Sequence, residues 1–234
     1  MQFKIPRKGY TENRQIYKHG TIEINQGITV LIGCNGSGKT TILSEIKETT
    51  KDIPTYFYNN LTTNDKESAL FHEDYEYMAQ LMCASEGESI TLKLLHKADE
   101  LIYLLKNGKK KLSALEEAFM SMSGRNNKED KTTVKERILL FDAIDSGLSI
   151  DQVRDLKEYF FTPLLESYKD LYIIVSANEY EMCKDYPCFN VTEGKYVTIN
   201  SYDDYTKEIL KTREYKEKQI EKLMKVSKND NNWE

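Results

Sequence analysis

The run Gly33-Cys-Asn-Gly36-Ser-Gly38-Lys39-Thr40-Thr41 leaves this chain few folds to choose from. It fits G-x-x-x-x-G-K-S/T at every position, and its flanks agree. Ile28-Thr-Val-Leu-Ile32 before it is the near-continuous apolar run of a strand buried on both faces. After Lys39, residues Ile42, Leu43 and Ile46 share one face of a helix. Strand, glycine-rich turn and helix in that order build an anion cradle. The glycines let the backbone turn tightly so that its N–H groups converge, and the helix start adds partial positive charge. The ligand such a cradle fits is the polyphosphate of a nucleotide. Gly33, Asn35, Gly36, Ser37, Gly38, Lys39, Thr40 and Thr41 are expected to hold ATP, with Lys39 on the β- and γ-phosphates and the Thr40 hydroxyl on Mg²⁺. Cys34 fills a position that the pattern leaves free.

The remaining chain alternates strands with helices. Strands are expected at 21–25, 54–58, 138–141 and 171–175. An amphipathic helix is expected over 90–106, striped by Leu94, Leu101, Leu104 and Leu105 and stopped by Asn107-Gly108. Further helices are expected at about 112–122 and 150–168, a polar loop at 123–133 and a hairpin at 189–199. A charged helix over about 203–227 closes the pattern, followed by a frayed tail. Such alternation predicts crossover connections and an α/β fold with a mainly parallel central sheet. With 234 residues, 39% of them apolar, one domain of this kind can bury a core.

Net charge is −5, which argues against a polyanion-binding surface overall. No stretch approaches the roughly 18 apolar residues of a membrane span. The segment MQFKIPRKGY has no apolar core of a signal peptide. Cys34, Cys83, Cys183 and Cys188 are scattered, as are His19, His72 and His96, without zinc-site spacing. Reduced thiols in a cytoplasm are the expectation.

Ile138-Leu-Leu-Phe-Asp142 is an apolar strand ending in a carboxylate, the form of a Walker B element, in which Asp142 helps hold Mg²⁺. Its continuation, Asp142-Ala-Ile-Asp-Ser-Gly-Leu-Ser149, resembles the D-E-P-T-S-G-L-D run of ABC-type ATPases, with Ser146-Gly147-Leu148 on their D-loop. Ser85-Glu86-Gly87-Glu88-Ser89 resembles their signature segment, in the S-x-G-E form of the DNA-repair and chromosome-maintenance branch. The resemblance covers roughly residues 20–180. It implies a P-loop ATPase head in which Ser85, Gly87 and Glu88 of one copy meet the γ-phosphate bound by another, hence an ATP-dependent homodimer. Serine and glutamate also make an ordinary helix cap at this spacing. Ser121-Met-Ser-Gly-Arg125 is a rival signature, less favoured because no apolar helix follows it.

Three departures from the family bear on hydrolysis. Ala143 stands where the catalytic glutamate is expected. Val175-Ser-Ala-Asn178 stands where V-T-H-D would carry the switch histidine. No glutamine fits a Q-loop, Asn59 and Asn60 being the nearest polar residues. Alanine cannot act as a general base. Asp145 is the nearest replacement carboxylate, or a turn-forming residue; Asn178 can orient water or γ-phosphate, or cap the next segment. Only about 46 residues separate Lys39 from Ser85 (85 − 39), so the chain has room for neither a long coiled coil nor a transporter-sized helical subdomain. It is similar in this to small stand-alone ATP-binding proteins of bacteria, phages and mobile elements.

The expected organisation is an ATP-binding domain over 1–200, with a helical insertion at about 90–133, and a C-terminal charged helix and tail over 201–234. Between Lys207 and Lys228 that helix carries eight basic residues against four glutamates. It reads either as a solvated face with Glu214–Lys218 and Glu221–Lys225 pairs or as a contact for phosphate backbone. The expected function is Mg-ATP binding with slow hydrolysis and ATP-gated dimerisation that controls a protein partner or nucleic acid. A regulatory module without useful hydrolysis, and a small-molecule kinase, are the alternatives.

Overall fold

The computed structural model describes residues 1–5, 17–60, 74–108 and 136–230, with side chains described to 225. The helix expected at 112–122, the loop at 123–133 and the rival signature at 121–125 lie outside the described residues, as does the end of the tail.

The sheet forms where the apolar runs are. Six strands lie in the order β4-β5-β6-β3-β7-β8: β3 Gly27–Ile32, β4 Thr55–Asn59, β5 Arg137–Asp142, β6 Leu171–Ser176, β7 Cys188–Asn190 and β8 Lys195–Val197. Every pairing in it is parallel except that of β7 with β8, which form the expected terminal hairpin. A separate antiparallel ribbon pairs β1 Gln2–Lys4 with β2 Thr21–Glu23. The chain is thus α/β with a mainly parallel central sheet.

Both faces of the sheet are covered, which is why its central strands are apolar throughout rather than alternating. On one face Leu31, Leu140 and Ile174 pack against Ile42, Leu43 and Ile46 of α1 (Lys39–Thr49) and against Phe3 and Ile22 of the ribbon. On the other, Val30, Phe141 and Val175 meet Leu101, Leu104 and Leu105.

The helix expected over 90–106 is two helices, α3 Glu86–His96 and α4 Ala98–Asn107, preceded by α2 Tyr75–Cys83. Tertiary contact overrides the continuous apolar stripe. His96 is drawn onto α2, stacked on Tyr77 with ring centroids 4.0 Å apart, and the chain turns at Lys97. Gly108, at φ 63°, ends α4 as expected. The helix expected at 150–168 runs as α5 Ile150–Asp155, a π-helical stretch Leu156–Phe161 and α6 Thr162–Ser167. Pro163 has no N–H to give an α-helical ladder, and the wider turn before it carries Thr162 Oγ1 onto the carbonyl of Lys157, 2.8 Å away.

After α7 (Tyr180–Cys183) and the hairpin, the chain ends in α8, Tyr202–Asp230. Among the described residues no helix is long and apolar enough to cross a membrane.

Candidate functional site

The site lies at the C-terminal ends of β3, β5 and β6, where open α/β sheets place their ligands. The loop from Gly33 to Gly38 leaves β3 and enters α1. Gly36 at φ 74° and Gly38 at φ 97° use backbone that L side chains rarely adopt. A Cβ on Gly33 would stand 2.5 Å from Ser37 Oγ and 3.0 Å from Val191 Cγ2, so a larger residue there would have to displace its neighbours. Tyr17 braces the entry to α1 by donating to the carbonyl of Gly38, 2.6 Å away. Lys39 is buried and curls back across the loop, its Nζ donating to the carbonyl of Gly33 at 2.7 Å. Burial holds its pKa below the ordinary lysine value, and Asp145 is the largest charge opposing that shift.

Two observations fit this loop to a polyphosphate. Ser37 Oγ is buried with no hydrogen-bond partner among the described residues. Lys39 has a single neutral carbonyl where a charge-assisted bond would be stronger.

The Asp142 carboxylate is braced across neighbouring strands. The register sets Asn59 of β4 opposite Asp142 of β5. Asn59 Nδ2 donates to Asp142 Oδ2 at 2.9 Å, and Ser176 Oγ at the end of β6 donates to Asp142 Oδ1. Ser176 Oγ in turn accepts from the N–H of Ala143, 2.8 Å away. One carboxylate fixed in this way, together with the Thr40 hydroxyl, would suit Mg²⁺, which needs few protein ligands beside phosphate and water. Among the described residues no group of three or more His, Cys, Asp or Glu could hold a metal by itself. Asn60 braces the loop after β5 instead, its Nδ2 donating to the carbonyls of Ala143 and Ser146.

Ala143 leaves β5 at φ 52° and is buried, so no carboxylate stands where the family's base is expected. Asp145 is fully buried. Its Oδ2 accepts the N–H groups of Asn178 and Glu179, at 2.8 and 2.9 Å, while Oδ1 has no hydrogen-bond partner among the described residues. A base must reach a water. Asp145 is out of bulk solvent, its carboxylate is bonded to the Asn178 and Glu179 backbone, and its charge favours the ammonium form of Lys39. Asn178, just beyond β6, lines a cavity together with Gly33, Cys34 and Asn35 of the phosphate loop.

Burial pushes the Asp145 pKa from an ordinary 3.8 up to about 6, against the two backbone N–H bonds. The folded chain therefore holds this proton more tightly than the unfolded one. The contribution of Asp145 is full below about pH 4, is lost as pH rises to about 6, and is flat above that. At about 1.4 kcal/mol per pH unit the loss is on the order of 3 kcal/mol. In Asp145→Asn the amide oxygen can still accept both N–H groups while the NH₂ replaces the orphaned oxygen, without titrating. The Tm of the variant is expected to rise relative to wild type between about pH 4 and 6 and to stay above it at pH 8. A Tm difference independent of pH would overturn this account.

The segment 85–89 contributes no residue to the cavity beside the phosphate loop. Ser85 caps α3 in a reciprocal box, its Oγ accepting from Glu88 N–H at 3.4 Å and its own N–H donating to Glu88 Oε2 at 2.8 Å. The segment is mounted on the chain that follows Asp142. A Cβ on Gly87 would lie 2.3 Å from Gln152 Oε1, and one on Gly147 2.5 Å from Glu86 Cδ. Ser85 and Glu88 are exposed and Gly87 is buried.

Ser176, Tyr17 and the residues of α8 that reach the loop escaped the sequence reading. Only Ser176 left a signal, as the polar residue that ends an apolar strand two positions before Asn178. The described residues of α8 are not wholly a solvated face. Tyr205 and Thr212 are buried, and Thr212 Oγ1 accepts the N–H of Cys34 at 2.8 Å.

No protein-family model and no curated protein matches this chain. Among solved structures it is similar to MJ1267 in its ADP conformation, an ATP-binding cassette of an ABC transporter. The two share 15% identity over 90% of this chain and 93% of that one, with a TM-score of 0.43. It is similar to a nucleotide-free ATP-binding cassette from an ABC transporter at 15% identity over 90% and 95%, with a TM-score of 0.43. It is similar to the dimeric bacterial ABC transporter cassette MJ0796 at 14% identity over 86% and 100%, with a TM-score of 0.35.

Proposed function

We propose that this chain is an ABC-type ATP-binding protein that binds Mg-ATP, hydrolyses it slowly and pairs with a second copy when ATP is bound. The observation that carries the reading is the phosphate loop at the end of β3 with a braced acidic residue, Asp142, two strands away. In this reading Gly33–Thr41 cradle the phosphates, Lys39 exchanges the Gly33 carbonyl for phosphate oxygen, and Thr40 and Asp142 hold Mg²⁺. Mg²⁺ would neutralise charge on the β- and γ-phosphates. Asn178 orients the γ-phosphate or a water, and Asp145 sets the position of Asn178. Ser85, Gly87 and Glu88 close the site of the other copy.

The ATP-binding domain is proposed to span 1–200, with α8 following it. The S-x-G-E form of the signature supports the DNA-repair and chromosome-maintenance branch, and with it control of a protein or nucleic-acid partner. Four free cysteines suit a reducing cytoplasm.

A second reading, a nucleotide-dependent regulatory module without useful hydrolysis, is favoured by Ala143. Phosphate release at saturating Mg-ATP separates the two. Turnover is expected well below the roughly 1 s⁻¹ at the low end of ordinary enzymes. Turnover at ordinary enzyme rates would mean that another base is at work, and ADP formation that depends on an added acceptor would indicate a kinase.

A further inference from the structure

The phosphate loop has a neighbour that no motif announces. Tyr205 of α8 donates to the carbonyl of Asn178 at 2.7 Å, and Thr212, two turns on, takes the N–H of Cys34 at 2.8 Å. One turn further, Lys216 Nζ donates to the carbonyl of Asn35 at 2.8 Å and would lie 3.0 Å from a Cβ on Gly36. These residues fall at helical spacing, so one face of α8 runs along the outer side of the loop. Between helix and loop lies a cavity of about 610 Å³, walled by Gly33, Asn35 and Asn178 on one side and by Ile209, Arg213 and Lys216 on the other.

The end of the nucleotide that faces this cavity follows from the residues proposed to hold its phosphates. Thr40 and Asp142 would hold Mg²⁺, which would neutralise charge on the phosphates, and because Asp142 ends β5 the phosphate end would lie toward β5 and β6. Asn178 is at the end of β6, and α8 covers Asn178. Lys216 donates to a neutral carbonyl, and Arg213 is held by Glu217, which also lines the cavity, through one nitrogen at 2.9 Å, leaving the rest of its fork to donate.

We propose that α8 is a wall of the nucleotide site, and that Lys216 and Arg213 contact the terminal phosphate of ATP bound by the same chain. The proposal rests on the ATP-binding reading above. In it the loop and Lys39 hold what ATP and ADP share, while α8 reads the phosphate that ADP lacks. The C-terminal helix then makes each copy selective for the triphosphate before any partner arrives.

The test is the ratio of ATP to ADP affinity, measured by calorimetry on full-length protein with Mg²⁺. Lys216→Gln is expected to weaken ATP about 10-fold and ADP less than about 2-fold, the loss of one charge-assisted contact. Arg213→Gln is expected to act in the same direction, and Lys216→Arg to restore most of the loss. Equal weakening of ATP and ADP, or no change in either, would overturn the proposal. Tighter binding of both would show α8 to be a cover that obstructs the site. Wild-type protein that binds neither nucleotide would sink the ATP-binding reading as well, whereas normal binding with an unchanged ratio sinks only the role of α8.

Discussion

Replacing Lys39 with alanine is expected to weaken Mg-ATP binding at least about 100-fold while leaving the fold intact. The size of the effect follows from charge-assisted contacts, at about 1.5–3 kcal/mol each, two of which an ammonium between the β- and γ-phosphates can make. Lys216 bonds the loop at Asn35 and is proposed to meet the terminal phosphate, so it does not replace the Lys39 contact between the β- and γ-phosphates. The intact fold follows from the burial of Lys39. Its ammonium lies out of solvent, bonded to the Gly33 carbonyl, and burial already disfavours its charged form. Removing it relieves that cost and leaves the glycine turn, the Tyr17–Gly38 bond and the apolar face of α1 in place. Titration with a fluorescent ATP analogue, beside a thermal melt, measures both. A variant with wild-type Tm and wild-type affinity would remove the phosphate loop from the site.

The sequence told most where one local rule decided the outcome. The phosphate loop, the apolar strands β3, β5 and β6 and the Gly108 helix stop each follow from residue types read in order. Parallel pairing of these strands follows from the helices between them. What escaped depends on contacts between segments distant in the chain. The break at Lys97 is made by Tyr77, nineteen positions before His96 (96 − 77). Asp145 lies in a stretch that resembles a catalytic run, yet its burial is set by the chain around it and its bonds by Asn178 and Glu179, more than thirty residues away. The docking of Thr212 and Lys216 onto the loop spans about 180 residues, and a run of lysines and glutamates gives no sign of which ones turn inward. In the same way the reciprocal cap at Ser85 does not exclude a part in a second site. It uses the serine oxygen as an acceptor and leaves the hydroxyl proton to be donated.

Mg-ATP is expected to convert the monomer to a two-fold dimer, and Ser85→Asp to abolish the conversion with ATP binding unchanged. Ser85, Glu86 and Glu88 are exposed at the start of an 11-residue helix, and the cavity beside the phosphate loop includes none of them. The Gln152 side chain packs against Gly87, and Gly147 against the Glu86 side chain, at the start of the helix. A fixed serine hydroxyl at a helix N-terminus suits an anion brought from outside the chain, and a two-fold axis brings both such contacts together. ADP lacks the phosphate that would reach Ser85, so the dimer is expected to form with ATP and not with ADP, as a population shift requires of its ligand. Aspartate caps a helix about as well as serine, so Ser85→Asp keeps α3 intact and sets a carboxylate against the incoming phosphate. Ser85→Asn, also a good cap but neutral, is expected to weaken association less. Light scattering in Mg-ATP reads the outcome. A wild-type protein that stays monomeric with ATP bound, or a dimer indifferent to both ADP and Ser85→Asp, would leave ATP binding standing and remove the pairing.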